Sequence, residues 1–225
     1  MVLVEDTFGK EHLERLMRVL RQEYLTPRSV ADVPLLKSTD KFSGYRRGPF
    51  AMYALKEYVG AEKVNLALKR LLEKFDSGQP PLPTSLDLYA ELKTVTPDSL
   101  QYLLKDLFEQ NIFWKLKAEK IIATPTEEGK WNIKFEVTTK KEAIDKEGNV
   151  TEYPMNDFVE IAVYANSPEG ELGELLYLKK HLKSGEQTIK ITVSKEPDLA
   201  GIDPNRLLID KDIYDNFIQI IGNIK

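Results

Sequence analysis

Phe42-Ser43-Gly44-Tyr45-Arg46-Arg47-Gly48-Pro49-Phe50 sets a phenol and two guanidiniums between two glycines. A phenol is a directed hydrogen-bond donor, and a guanidinium is a fixed cationic fork. Glycine lets a backbone take unusual dihedrals or come close to a ligand. No other segment of the chain gathers so much chemistry in so few residues. Composition and spacing also admit a plainer reading. Tyr45 is then a partly buried core or capping tyrosine, and Arg46 and Arg47 snorkel to solvent.

Other chemistries find little support. The two histidines are His12 and His181. His12 has no second imidazole one helical turn away, and His181 stands among Lys179, Lys180 and Lys183, so a closed zinc site is not expected within the chain. There is no cysteine, which excludes disulfides and thiolate chemistry. Ser43 and Ser99 are not in a Gly-x-Ser-x-Gly elbow. Gly44-Tyr45-Arg46-Arg47-Gly48 is not a phosphate-binding loop. Asn149-Val150-Thr151 matches a glycosylation acceptor, a short and common pattern. Carboxylates are many, but no spacing singles out a pair. The net charge of −4 gives no electrostatic reason to expect a nucleic-acid partner. No apolar run reaches the roughly 18–20 residues of a membrane span. Met1-Val2-Leu3-Val4-Glu5-Asp6 lacks the features of a signal peptide.

The elements that must position Tyr45 are helical. Leu13, Leu16, Met17, Leu20 and Tyr24 form one apolar stripe on a helix from about Thr7 to Leu25, closed by Pro27. Residues 27–44 read as an ordered loop rich in turn formers. A buried central helix is predicted to open near Tyr45 or Pro49 and to end at Gly60. Helices over Ala61 to about Phe75, Thr84 or Ser85 to about Lys93, and Thr96-Pro97 to about Gln110 complete a set of about five. The period then changes. Trp131, Ile133, Phe135 and Val137 alternate with polar residues. So do Val159, Ile161 and Val163, and so do Ile189, Ile191 and Val193, with Leu176 and Leu178 as a shorter run. Such strands, separated by turn signals at Glu128-Gly129, Glu147-Gly148-Asn149, Ser167-Pro168-Glu169-Gly170 and Ser184-Gly185, predict an antiparallel β-sandwich. The expected organisation is α+β in two parts: a helical segment over 1–113 and an immunoglobulin- or fibronectin-like sandwich over 114–225.

Tyr45-Arg46-Arg47-Gly48, the apolar helix after it, Gly60, and Val64, Leu68 and Leu71 resemble a segment of the aminopeptidase N-like zinc metallopeptidases, the gluzincins. That family carries Tyr-x-Lys-Gly, an apolar helix, a glycine and an amphipathic helix. Arg47 stands at its lysine, which keeps the charge and changes the geometry. Gly201-Ile202-Asp203-Pro204 through Leu207-Leu208-Ile209-Asp210 is similar to the closing strand of the family's sandwich. Gly48 to Leu55, Thr96 to Leu104 and Pro154-Met155-Asn156-Asp157 resemble the peptidase-like regions of bacterial permease–peptidase fusion proteins.

The resemblance implies hydrolysis of peptides from the N-terminus, with Tyr45 as the donor that stabilises the tetrahedral oxyanion. It makes Arg46 and Arg47 secondary candidates for binding a substrate carboxylate or steadying the loop. Zinc is expected for the intact protein and not in this chain, because His-Glu-x-x-His and its distant glutamate precede the tyrosine in the family. The upstream zinc-binding subdomain is then a partner, peptide is the substrate, and this chain alone is expected to be inactive. Met1 is then expected to be an introduced start. A fused permease-like region would set this part outside the cytoplasm, on a membrane-attached parent. The alternatives are a non-catalytic peptide- or partner-binding module of a degenerate peptidase, and a scaffold that only packs on its neighbours.

Overall fold

The computed structural model describes residues 1–25, 33–39, 41–167 and 170–220, with the backbone alone at 41 and 42. Pro27, Asp40 and Pro168-Glu169, expected in loops or at a helix end, lie outside the described residues. Among the described residues six α-helices come first and eight strands in antiparallel sheets follow, so the chain is α+β in two parts. It divides into two compact units: Met1–Ile112 with Ala143–Thr151, and Phe113–Glu142 with Glu152–Lys225.

The first unit begins with α1 (Val2–Phe8) and α2 (Lys10–Tyr24). One helix was expected over Thr7–Leu25, but Gly9 breaks it at φ 83°. Its N–H closes α1 on the Glu5 carbonyl at 2.8 Å, and its carbonyl receives the Leu13 N–H at 3.3 Å. A left-handed residue ends a helix readily only when it is glycine. On α2, Leu13, Met17 and Tyr24 are buried on the expected stripe.

The central helix α3 runs over Lys41–Val59, with Pro49 inside it. It therefore opens earlier than Tyr45 or Pro49, the expected starts. The reason is burial. Ser43, Arg47, Phe50, Ala51 and Ala54 are all buried and recur at helical spacing on both sides of the proline. Fully burying a side chain such as that of Phe50 stabilises by roughly 1.5–3 kcal/mol. Several such residues together offset the roughly 3 kcal/mol that proline costs in a helix interior. Gly60, at φ 101°, ends α3 and serves as the N-cap of α4 (Ala61–Lys74).

Thr84 caps α5 (Ser85–Val95) in a reciprocal capping box with Asp87. Thr96 was expected to open the next helix. Its hydroxyl instead donates back to the Leu92 carbonyl at 2.8 Å, so it ends α5. A 3₁₀ turn at Asp98–Leu100 leads into α6 (Gln101–Phe108).

The strands are β1 (Ile112–Pro125), β2 (Trp131–Ile144), β3 (Val150–Tyr153), β4 (Asn156–Asn166), β5 (Leu172–Lys183), β6 (Gly185–Val193), β7 (Leu199–Ile202) and β8 (Phe217–Gln219). One sheet has the order β1-β2-β3, with β6 also paired to β2; the other has the order β5-β4-β7-β8. Period-two alternation sets the register, as in Phe135 opposite Ile189 and Ile161 opposite Leu178. Ile133, Phe135 and Val137 of β2 and Ile189 and Val193 of β6 are buried, while every residue from Val159 to Val163 on β4 is buried. A strand covered on both faces carries its polar group only with partners. Glu160 accordingly accepts from Tyr177 Oη and, at 2.9 Å, from Asn205 Nδ2. Trp114 Nε1 donates to Asp157 at 2.9 Å, and the buried Lys141 ammonium meets the same carboxylate at 2.9 Å.

Candidate functional site

Helix α3 separates the three sequence candidates onto different surroundings. Tyr45 is 68% exposed, so its side chain stands in solvent and is neither core nor cap. Arg46 is ion-paired with Glu23 of α2, and both side chains are partly exposed. Arg47 is 1% exposed. Snorkelling to solvent was the plainer expectation for both arginines, and Arg47 does the opposite.

The Arg47 guanidinium is among the most fully buried large groups in the chain. Nη1 donates to Tyr24 Oη at 2.8 Å and to Asn111 Oδ1 at 2.7 Å. Nη2 donates to the carbonyls of Ile112 at 3.2 Å, Gln110 at 3.3 Å and Asp106 at 3.5 Å. The Asp106 and Gln110 carbonyls lie at or just beyond the last turn of α6, where a helix leaves acceptors without internal donors and favours a cation. Asn111 extends the cluster: its Nδ2 donates to the Ile144 carbonyl at 2.8 Å, and its own carbonyl receives the Ile144 N–H at 3.1 Å. Five acceptors around one planar fork fix both the height and the rotation of α3 two residues beyond Tyr45.

A second tie holds the far end of α3. Tyr53 Oη donates to Glu5 at 3.1 Å, and Lys56 Nζ reaches Glu5 at 2.9 Å and Glu57 at 2.8 Å. Burial raises the Tyr53 phenol, and Glu57 and Glu5 push it in the same direction. Burial pushes Glu5 up, but Lys56, the Tyr53 hydroxyl and Lys10 together outweigh it and leave the carboxyl below its ordinary value. Sequence spacing did not single out Tyr53, because its partner is 48 positions away.

An apolar groove of about 500 Å³ runs along α3, lined by Gly44, Gly48, Pro49 and Met52 but not by Tyr45. Its other wall includes Leu35, Leu36, Ser38, Leu88 and Phe108. Gly44, Gly48 and Met52 repeat at i, i+4 and i+8, one face of the helix. Each glycine in a helix interior costs roughly 0.5–1 kcal/mol relative to alanine.

The described residues of this chain do not make a set that fits the zinc implied by the resemblance. His12 packs on Phe8 in the first unit, and His181 packs on Phe158 in the second. Among the described residues no three His, Cys, Asp or Glu side chains gather as ligands. No described helix is long and apolar enough to cross a membrane. No protein-family model matches the chain, and no curated protein matches it.

Proposed function

We propose that this chain is the C-terminal part of a zinc aminopeptidase of the aminopeptidase N type, and that its chemical contribution is the Tyr45 hydroxyl. The metal ligands are supplied on this reading by an upstream part of the same protein, and the chain alone is inactive. Tyr45 donates a hydrogen bond to the carbonyl oxygen of a bound peptide as negative charge grows there. One observation carries the reading: a phenol that is 68% exposed stands two residues from an arginine locked into the core. The Arg47 anchor fixes the backbone that carries the phenol, and the exposed hydroxyl is open to a bound peptide. Arg47 is then a positioning residue. Arg46, already balanced by Glu23, keeps only a secondary part in meeting a substrate carboxylate.

In the full-length protein, Tyr45→Phe is expected to lower kcat by about 10²–10³-fold with little change in KM. An unchanged kcat rejects the role. The apolar groove along α3 favours a second reading, a module that binds peptide or a partner without cutting it and belongs to a membrane transporter-like protein. Peptide binding without product, in a full-length protein whose upstream sequence lacks the ligand motif, selects that reading.

A further inference from the structure

The second unit holds a buried amine and a buried carboxyl that the Tyr45 chemistry does not use. Lys141 belongs to β2 and Asp157 to β4, strands of different sheets. Both side chains are only 4% exposed. Lys141 Nζ stands 2.9 Å from Asp157 Oδ1 and 3.1 Å from Oδ2, so it faces the whole carboxyl group rather than one oxygen. The Trp114 indole N–H donates to Oδ2 at 2.9 Å, and the Asn156 backbone N–H donates to Oδ1 at 3.2 Å. The setting is apolar. Trp114 is buried, and so is Leu182, which stands opposite Asp157 across the β4–β5 pair. The centre of the Tyr153 ring is 6.0 Å from Nζ.

A buried ion pair carries a desolvation penalty for each charge, and attraction between the two only partly offsets it. Joining the groups as an amide removes both charges. It leaves one carbonyl, for which the Trp114 N–H is already in place. Partners held in contact react as one molecule rather than two, and a site closed to solvent disfavours the reverse hydrolysis. The pair also brackets Ala143–Thr151, the segment that belongs to the first unit. With no cysteine in the chain, no disulfide can tie the two ends of that excursion.

We propose that Lys141 and Asp157 condense spontaneously to an amide that joins the two sheets. One proton passes from Nζ to Oδ1, which leaves a neutral amine beside a neutral acid. The Nζ lone pair attacks Cγ, the N–C bond forms, and the carbonyl electron pair moves onto Oδ2, where the Trp114 N–H stabilises it. A second proton passes from Nζ to Oδ1, the Cγ–Oδ1 bond breaks, and water leaves. Both protons of that water come from the ammonium, so the pair supplies its own acid. Oδ2 remains as the amide carbonyl. The test is the mass of the purified chain after a week at neutral pH. It is expected to lie one water molecule below the mass of the sequence. Trypsin should then give one branched peptide in place of the two that carry Lys141 and Asp157. Lys141→Arg keeps a cation beside the carboxylate but removes the nucleophilic amine, so it should keep its full mass. A wild-type mass equal to that of the sequence overturns the proposal and leaves a structural ion pair. Water lost within the Asp157 peptide alone overturns it, because that is closure onto the neighbouring backbone. The same loss in Lys141→Arg overturns it as well. The reaction uses neither Tyr45 nor a bound peptide, so its outcome reads separately from the proposed function.

Discussion

Arg47 holds together residues that are far apart in sequence, Tyr24 and Asn111 with the carbonyls near the end of α6. Removing it leaves buried acceptors without donors, which usually costs more than the bonds themselves contribute. Arg47→Ala is expected to destabilise the chain by at least about 1–3 kcal/mol, read as a lower urea midpoint. Arg47→Lys should recover only a small part of that loss, since an ammonium cannot span acceptors set for a planar fork. A midpoint equal to wild type for Arg47→Lys would remove the fork argument. The sequence shows two adjacent arginines but not which one is buried. Helical phase separates neighbours by about 100°, and the deciding partners lie 23 and 64 positions away. Tyr45 stands out in the sequence by residue type alone, and its exposure is read only from the fold.

Capping at α5 is local and therefore readable. Thr84 accepts from the Asp87 N–H while Asp87 accepts from the Thr84 N–H at 2.9 Å, all within one turn. Thr84→Ala should lower stability at pH 7 by about 1 kcal/mol. The Thr84 backbone N–H and hydroxyl hold the Asp87 carboxyl below its ordinary 3.8. A depressed carboxylate contributes stability that is fully present above the unfolded value and is lost as pH falls through the lower folded value. The gap in melting temperature between wild type and Thr84→Ala should therefore be constant above about pH 4 to 5 and shrink below it. A gap that widens on acidification would show that Asp87 is not the partner. At α3 and Thr96 the local signals misled. Pro49 marks a helix start by its own chemistry, yet buried Ser43 and Arg47 extend the helix upstream of it. Thr96 precedes a proline as an N-cap would, yet its hydroxyl finds a carbonyl behind it.

Over the whole molecule, the change of period from helix to strand was legible, and so was the antiparallel alternation of β2, β4 and β6. The strand β1 was less so. Its burial alternates clearly only through Trp114, Leu116 and Ala118, and the strand then runs on through Ile121 and Ile122 without alternating. Least legible was the membership of Ala143–Thr151 in the first unit, because it depends on Asn111 meeting Ile144 across 33 positions. A polypeptide ending at Ile112 keeps all six described helices and loses both bonds between Asn111 and Ile144. It should unfold at a lower urea concentration than the same helices in the full chain, by helical circular dichroism, and an unchanged midpoint would show the turn to be dispensable. For the gene, the consequence concerns exchange. A recombination break between codons 112 and 113 carries the helices away from a segment encoded 30 codons later, so one such break cannot exchange the first unit whole.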